Sequence, residues 1–349
     1  MSGGSWDPSA LPIRPGLYIN FKEAALAQIN GGDRGTVAIP LLTYTGGSAT
    51  AKTIYTVENE TDATTLFGAN NIQSIKFALS GGAKEVLVYT MPASPTTADY
   101  ADMRAAFDAY DFNVFVLDGE ANDTEQANTK TWVAQNRDDG KHFMAVFGGD
   151  STDDADPTAG NTRSTTNADD YIVNLITGVV IDGTSYSSAQ YSPYIAGLIA
   201  GTAINASTTY AQVNADDVTK RLTNAQIKAA LQAGSLVLVN DGSKVKVEQG
   251  ITTSKKKIRT IRARQAVSTD ITKTAADSYI GKIDNNEDGQ ASLIAAVKAY
   301  LETLQAENVL TGPVVAIDPQ YQSVGDTVYL VISYVEVDSM ERIFLTINV

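Results

Sequence analysis

The sequence predicts an α/β fold: a central, mostly parallel sheet flanked by helices, a smaller N-terminal α+β region, an α+β C-terminal domain and extended terminal arms. Three observations carry this prediction. Between Glu85 and Asn240, short apolar runs alternate with stretches of helical spacing, the mark of βαβ units. The first 22 residues hold Pro8, Pro12, Pro15 and Gly16 with little apolar periodicity, which disfavours helix and extends the chain. In Glu341–Val349, the residues Ile343, Leu345, Ile347 and Val349 alternate with Arg342, Phe344, Thr346 and Asn348, a strand pattern.

In chain order, the N-terminal arm ends in a short strand, Leu17-Tyr18-Ile19-Asn20-Phe21. Strands near Gly35–Thr43 and Lys52–Val57 follow. A helix over Ile72–Leu79 meets Gly81-Gly82, which can adopt positive φ and stop it. The strand Glu85–Thr90 begins at once, and its run Val86-Leu87-Val88 suits burial on both faces. Met103, Phe107 and Tyr110 recur at helical spacing within Ala98–Tyr110, before a strand Asn113–Leu117. A helix Thr124–Asn136 leads into a strand His142–Phe147. The Asp-, Thr- and Asn-rich stretch Gly148–Asn167 reads as a loop, and Tyr171–Ile181 as one apolar run. Helices Ser192–Ile204 and Asn224–Ala233 precede a strand Ser235–Asn240.

Beyond this point the pattern changes. Asp241-Gly242 between alternating runs predicts a type I′ hairpin turn. Leu293, Ile294, Val297, Leu301 and Leu304 give the helix Gln290–Gln305 one apolar face. Two strands, Thr327–Asp338 and Glu341–Val349, follow across a short turn. A long alternating strand is an aggregation liability unless something pairs with it. The resulting division is an arm (1–22), an α+β region (23–92), an α/β core (93–240), a C-terminal domain (241–338) and a second arm (339–349).

Composition narrows the chemistry. The 349 residues include no cysteine and one histidine, so thiolate catalysis, disulfides and Cys- or His-cluster metal sites are excluded. A net charge of −14 gives no general case for nucleic-acid binding. No secretory leader is visible, and the uncharged stretch Gly183–Ala215 is too polar for a membrane span, so cytoplasmic synthesis without membrane insertion is expected. Gly46-Gly47-Ser48 and Gly81-Gly82 lack the Lys-Ser/Thr of a phosphate loop. The acidic pairs, and Asp284–Gly289, lack the alternating ligand spacing of a calcium loop. Neither catalytic, cofactor nor metal residues are assigned.

One segment has the look of a catalytic site. Gly183-Thr184-Ser185 through Ser192-Pro193-Tyr194-Ile195-Ala196-Gly197 resembles the serine-bearing helix start of subtilisin-like proteases. Aligned on its end, however, Ala189 falls where the nucleophile belongs, and alanine has no oxygen to attack a carbonyl. His142, at the start of an apolar strand, reads as a structural residue. A Ser/Thr helix cap with Pro193 in the first turn explains the segment without catalysis.

The charge is unevenly distributed. Residues 1–240 carry 14 Lys+Arg against 26 Asp+Glu, a net of −12, and residues 241–349 carry 12 against 14, a net of −2. Within Lys244–Arg264, eight cations face one Glu248. Lys255, Lys256, Lys257, Arg259, Arg262 and Arg264 form a candidate charged interface for an acidic partner, a second copy of the chain included. No aromatics interleave these cations to stack bases.

Several segments together resemble contractile phage tail sheath proteins of the short type found in Gram-positive prophages and related bacteriocins. These are Met1-Ser2-Gly3-Gly4-Ser5-Trp6 with Arg14–Phe21, Ala78–Val88, Ser192–Gly201, Tyr279–Asn285 and Tyr334–Ile343. The resemblance implies a subtilisin-like sheath core without catalysis and stacked rings of subunits around an inner tail tube, with baseplate and tail terminator as further partners. It also implies arms that lend strands to neighbouring subunits, through Leu17, Tyr18, Ile19 and Phe21 at one end and Ile343, Phe344, Leu345, Ile347 and Val349 at the other. Contraction would drive the tube through a cell envelope, and the product would be a virion or phage-tail-like particle assembled in the bacterial cytoplasm.

Overall fold

A computed structural model of the protein describes residues 34–347. Leu17, Tyr18, Ile19, Phe21 and Val349 lie outside the described residues. The first half of the described chain runs β1 (Thr36–Leu41), β2 (Ile54–Val57), α1 (Glu60–Phe67), α2 (Gln73–Gly81), β3 (Glu85–Thr90), α3 (Thr97–Phe107), β4 (Val114–Val116), α4 (Asp123–Asp138), β5 (Met144–Phe147), α5 (Ser151–Ala155), α6 (Pro157–Thr166) and β6 (Ile172–Asn174). Its strands form one six-stranded sheet in the order β2-β3-β1-β4-β5-β6. Every neighbouring pair is parallel except β2–β3, whose register sets Ile54 opposite Tyr89. Helices cover the sheet, so β4, β5 and β6 are buried along their whole length, as the unbroken apolar runs of β4 and β5 require, and the buried Asn174 of β6 is hydrogen-bonded to Arg163, Ser164 and the Gly160 carbonyl. The sheet crosses the division at residue 92, because β1, β2 and β3 come from before it.

The chain continues with β7 (Val179–Ile181), β8 (Thr184–Tyr186), α7 (Ser188–Gly201), β9 (Asp217–Val218), α8 (Asn224–Ala233), β10 (Leu238–Asn240) and β11 (Val245–Val247). The C-terminal unit consists of α9 (Ile258–Ser278), α10 (Glu287–Ala306), β12 (Leu310–Ile317) and β13 (Leu330–Glu336). One apolar core surrounds the main sheet and reaches Ile258 and Ile261 at the start of α9. A second lies between α9, α10 and the β12–β13 ribbon, and takes up Ala263 and Val267. α9 therefore belongs to both cores and joins the two units.

Several expectations are corrected. The stretch Gly148–Asn167 is two helices rather than a loop. Asp150 accepts from the backbone N–H of Thr152 and Asp153, Asp156 accepts from that of Thr158, and Pro157 occupies the first turn of α6. The run Tyr171–Ile181 splits into β6 and β7, which lie in different sheets. α7 starts four residues earlier than expected, behind a Ser187–Gln190 capping box, so Pro193 sits inside the helix. The hairpin at Asp241-Gly242 is real, but Asn240 pairs with Val245 and the turn has four residues, with only Gly242 at positive φ. It is not type I′, which needs positive φ at both central positions.

Beyond these, helices α1 and α9 and the β12–β13 pairing were not foreseen. α1 buries only Ala63 and Phe67, too few apolar positions to show a period. α9 buries Arg259, Arg262, Gln265 and Asp270 along with its apolar residues, which masks its amphipathic spacing. β13 pairs with β12 rather than with the end of the chain, and Glu341–Ile347 forms no strand.

Candidate assembly surface

The subtilisin-like segment is a packing device in this fold. Ala189 is buried, with its N–H on the Gly149 carbonyl. Ser188 is fully buried. Its hydroxyl donates to Asp154 Oδ1 at 2.5 Å and accepts from Gly149 N at 2.7 Å. His142 lies before β5 and Gly149 after it, so the strand separates them by about 20 Å at its usual rise. The His142 Nδ1 instead faces the Tyr171 hydroxyl at 2.9 Å. The small residues of the motif serve close approach: a Cβ on Gly197 would lie 2.0 Å from the Ala78 carbonyl oxygen of α2, and one on Gly81 would lie 2.2 Å from that of Tyr194.

Asp154 is the most perturbed group of this cluster. Burial pushes its carboxyl from 3.8 up to about 6, against the opposing hydrogen bonds from Ser188. The folded chain thus binds this proton more tightly than the unfolded chain. The corresponding stability is complete below pH 3.8 and is lost as pH rises through about 6. In denaturant titrations the wild-type midpoint should rise as pH falls from 7.5 to 5, and Asp154→Asn should rise less. Equal slopes would show that Asp154 does not titrate in this range.

The cations of the predicted stripe do not form one surface. Arg262 is buried and donates to the Thr202 and Ala203 carbonyls, capping the electron-rich end of α7. Burial lowers its pKa to about 10, so it remains charged at neutral pH. Arg259, also buried, donates to the Ser339 hydroxyl at 2.7 Å and the Asn308 carbonyl at 2.8 Å. Arg264 bonds the Glu336 carboxylate at 2.5 and 3.1 Å, and Lys257 pairs with Glu341. Only Lys255 and Lys256 of the six stay exposed. Lys257 and Arg264 are engaged because the acids at 336 and 341 run back along α9, and Arg259 and Arg262 because backbone carbonyls and the Ser339 hydroxyl meet them. That acidic spacing opposite a basic stretch was the available sequence signal.

Exposed large apolar residues concentrate at the C-terminal end. Among the described residues there are 15, and all except Tyr110 and Tyr210 lie at or beyond Ile280. Ile343, Phe344, Leu345 and Ile347 are 72–90% exposed, and no hydrogen bond is described for residues 342–347. The β12–β13 ribbon that precedes them packs one face on α10 through Leu310 and Val315 and leaves Val314, Val331 and Val335 exposed. Its strands pair only with each other among the described residues, so both outer edges offer unpaired backbone groups.

Other chemistry is sparse. A groove of about 500 Å³ opens at the N-terminal end of the main sheet, lined by Asn113, Lys141, His142, Gln265 and Asp270 among others. Its mixed charges select no ligand class. No cluster of potential metal ligands occurs among the described residues, and no described helix is long and apolar enough to cross a membrane.

Two family models match the chain: the phage tail sheath protein central domain over residues 93–253 and the phage tail sheath C-terminal domain over 252–349. The chain is 26% identical over 312 residues to the tail sheath protein of Clostridium phage phiCD119, covering 84% of this chain and 81% of that one. The crystal structure of a sheath tail protein from Desulfitobacterium hafniense superposes with a TM-score of 0.72 at 21% identity, over 92% of this chain and all of that one. The helical sheath of the anti-feeding prophage in its contracted state gives a TM-score of 0.74 at 16% identity, over 97% of this chain and 99% of that one.

Proposed function

The chain belongs to the phage tail sheath family, and from that premise we propose that it stacks helically in rings around an inner tail tube and contracts to drive the tube through a target envelope. It is a structural subunit of the sheath. Its core is of the subtilisin-like sheath type without catalysis: the nucleophile position is the buried Ala189, and Ser188 has no imidazole in reach. Its partners are further copies of the chain, the tube protein, the baseplate and the tail terminator, without direct nucleic-acid contact or membrane insertion. Assembly takes place in the host cytoplasm and yields a virion or phage-tail-like particle.

The observation that carries this reading is the exposed apolar segment at 342–347, with no described hydrogen bond of its own, following in the chain a ribbon with open edges. Strand addition between copies satisfies both, because main-chain hydrogen bonds supply affinity and alternate side chains fix register. The arm around Leu17, Tyr18, Ile19 and Phe21 does the same at the other end. Lys255 and Lys256 add a charged contact on the outer surface of the joint. The driving energy is the difference between two packings of the same subunits, with arm links kept as hinges. Electron micrographs of particles built from the purified chain and its tube should contain tubes of two diameters, long-thin and short-wide. A single diameter under every triggering condition would remove contraction from the proposal.

A further inference from the structure

The C-terminal segment does not leave the body at an arbitrary point. Glu341, whose side chain is 10% exposed, gathers three donors from separate parts of the chain. The Thr209 hydroxyl donates to Oε1 at 2.7 Å, and Gln249 Nε2 donates to Oε2 at 2.8 Å. The third donor is the Lys257 ammonium, from the residue that caps α9. Two residues earlier, the Ser339 hydroxyl accepts from Arg259, and the Glu336 carboxylate accepts from Arg264. Residues 336–341 are thus held along the first two turns of α9. From Arg342 onward, every described side chain is exposed.

We infer that Glu341 is a positioning residue for assembly: its carboxylate, held by Thr209, Gln249 and Lys257, sets the point and direction from which the C-terminal segment reaches a second copy of the chain. The inference rests on the strand-exchange reading. A carboxylate with two oxygens and three converging donors has a defined geometry, and its charge-assisted bonds are the strong kind. Fixing the exit point confines the search of the segment, which raises its effective concentration at the receiving edge. It also bounds the reach of the apolar residues, because Ile347, six residues after Glu341, lies at most about 22 Å from it when the chain is fully extended. Lys257 is then part of this anchor, and its role differs from that of its exposed neighbours Lys255 and Lys256.

The test compares the full chain with Glu341→Ala, Lys257→Glu, the exchanged pair Lys257→Glu/Glu341→Lys, and a chain ending at Glu341. Light scattering follows assembly, and hydrogen exchange follows the amides of residues 337–341. The expected result is assembly slowed at least tenfold, and exchange in 337–341 accelerated about tenfold, in both single variants. The exchanged pair should recover part of both values through the restored ion pair, which a loss of fold would not permit, because an ammonium at position 341 cannot accept from Thr209 and Gln249. Wild-type assembly by Glu341→Ala, beside a truncated chain that stays monomeric, would overturn the anchor and leave strand exchange standing. Normal assembly by the truncated chain would overturn both. Unchanged hydrogen exchange in the single variants would overturn the anchor whatever the assembly rate.

Discussion

A chain ending at Glu341 is expected to remain a folded monomer at concentrations where the full chain polymerises. The deletion removes Ile343, Phe344, Leu345 and Ile347, which are exposed in the subunit and contribute no described internal contact. Burying such a side chain fully is worth about 1.5–3 kcal/mol. If each of the four gains only about 1 kcal/mol in the assembly, its loss raises the concentration needed for polymerisation by nearly three orders of magnitude. Thermal unfolding of the truncated monomer should match that of the full-length monomer, because no core residue is touched. Size-exclusion chromatography with light scattering reads the first outcome and calorimetry the second. Tubes of normal yield from the truncated chain would remove the C-terminal segment from the assembly mechanism.

Replacing Gly197 by alanine should be among the most damaging single-methyl changes in the core unit. α2 and α7 pack directly on each other, and glycines on both helices bring the backbones together. A Cβ at 197 would lie 2.0 Å from the Ala78 carbonyl oxygen and one at 201 would lie 2.0 Å from that of Gly82, so the neighbour in each case is rigid backbone. Overpacking of this kind typically costs about 1–3 kcal/mol, and the upper end applies where no side chain can yield. Gly140→Asn is the control, since Gly140 has φ +88 with nothing near its missing Cβ, and asparagine tolerates that conformation. Denaturant midpoints should fall clearly for Gly197→Ala and by under about 1 kcal/mol equivalent for the control. Equal midpoints would mean that the helices can separate without cost.

These two predictions draw on different parts of what could be read from the residues alone. The tail was legible because alternation is local: Ile343, Leu345 and Ile347 share one face of an extended chain whatever surrounds it. The expected strand is absent over Glu341–Ile347 in the single subunit, since a strand needs a partner ladder. Gly197 was legible only as part of a borrowed motif, Ser192–Gly201, whose protease resemblance suggested chemistry. The carbonyl of Ala78, more than a hundred residues earlier, supplies the reason for the glycine. Arg259 and Arg262 looked like docking cations because a basic run shows its charge and hides its partners. Those partners, Ser339, Asn308, Thr202 and Ala203, are distant in sequence.

The sequence by itself determined the local elements with strong period or composition: β3 over Glu85–Thr90, α8 over Asn224–Ala233, the amphipathic α10, and the parallel α/β character of the stretch that β4 and β5 occupy. It also determined the depletion of catalytic groups, since a chain without cysteine and with one histidine has few ways to make a nucleophile. Tertiary structure decided which cations are internal, where Asp154 loses its water, and why α7 must carry glycine. It also decided that residues 336–341 are held on α9 and those from 342 are not. The physical reason is common to all four. Desolvation, pairing and close packing depend on atoms brought together across long loops, and a local pattern carries no information about them.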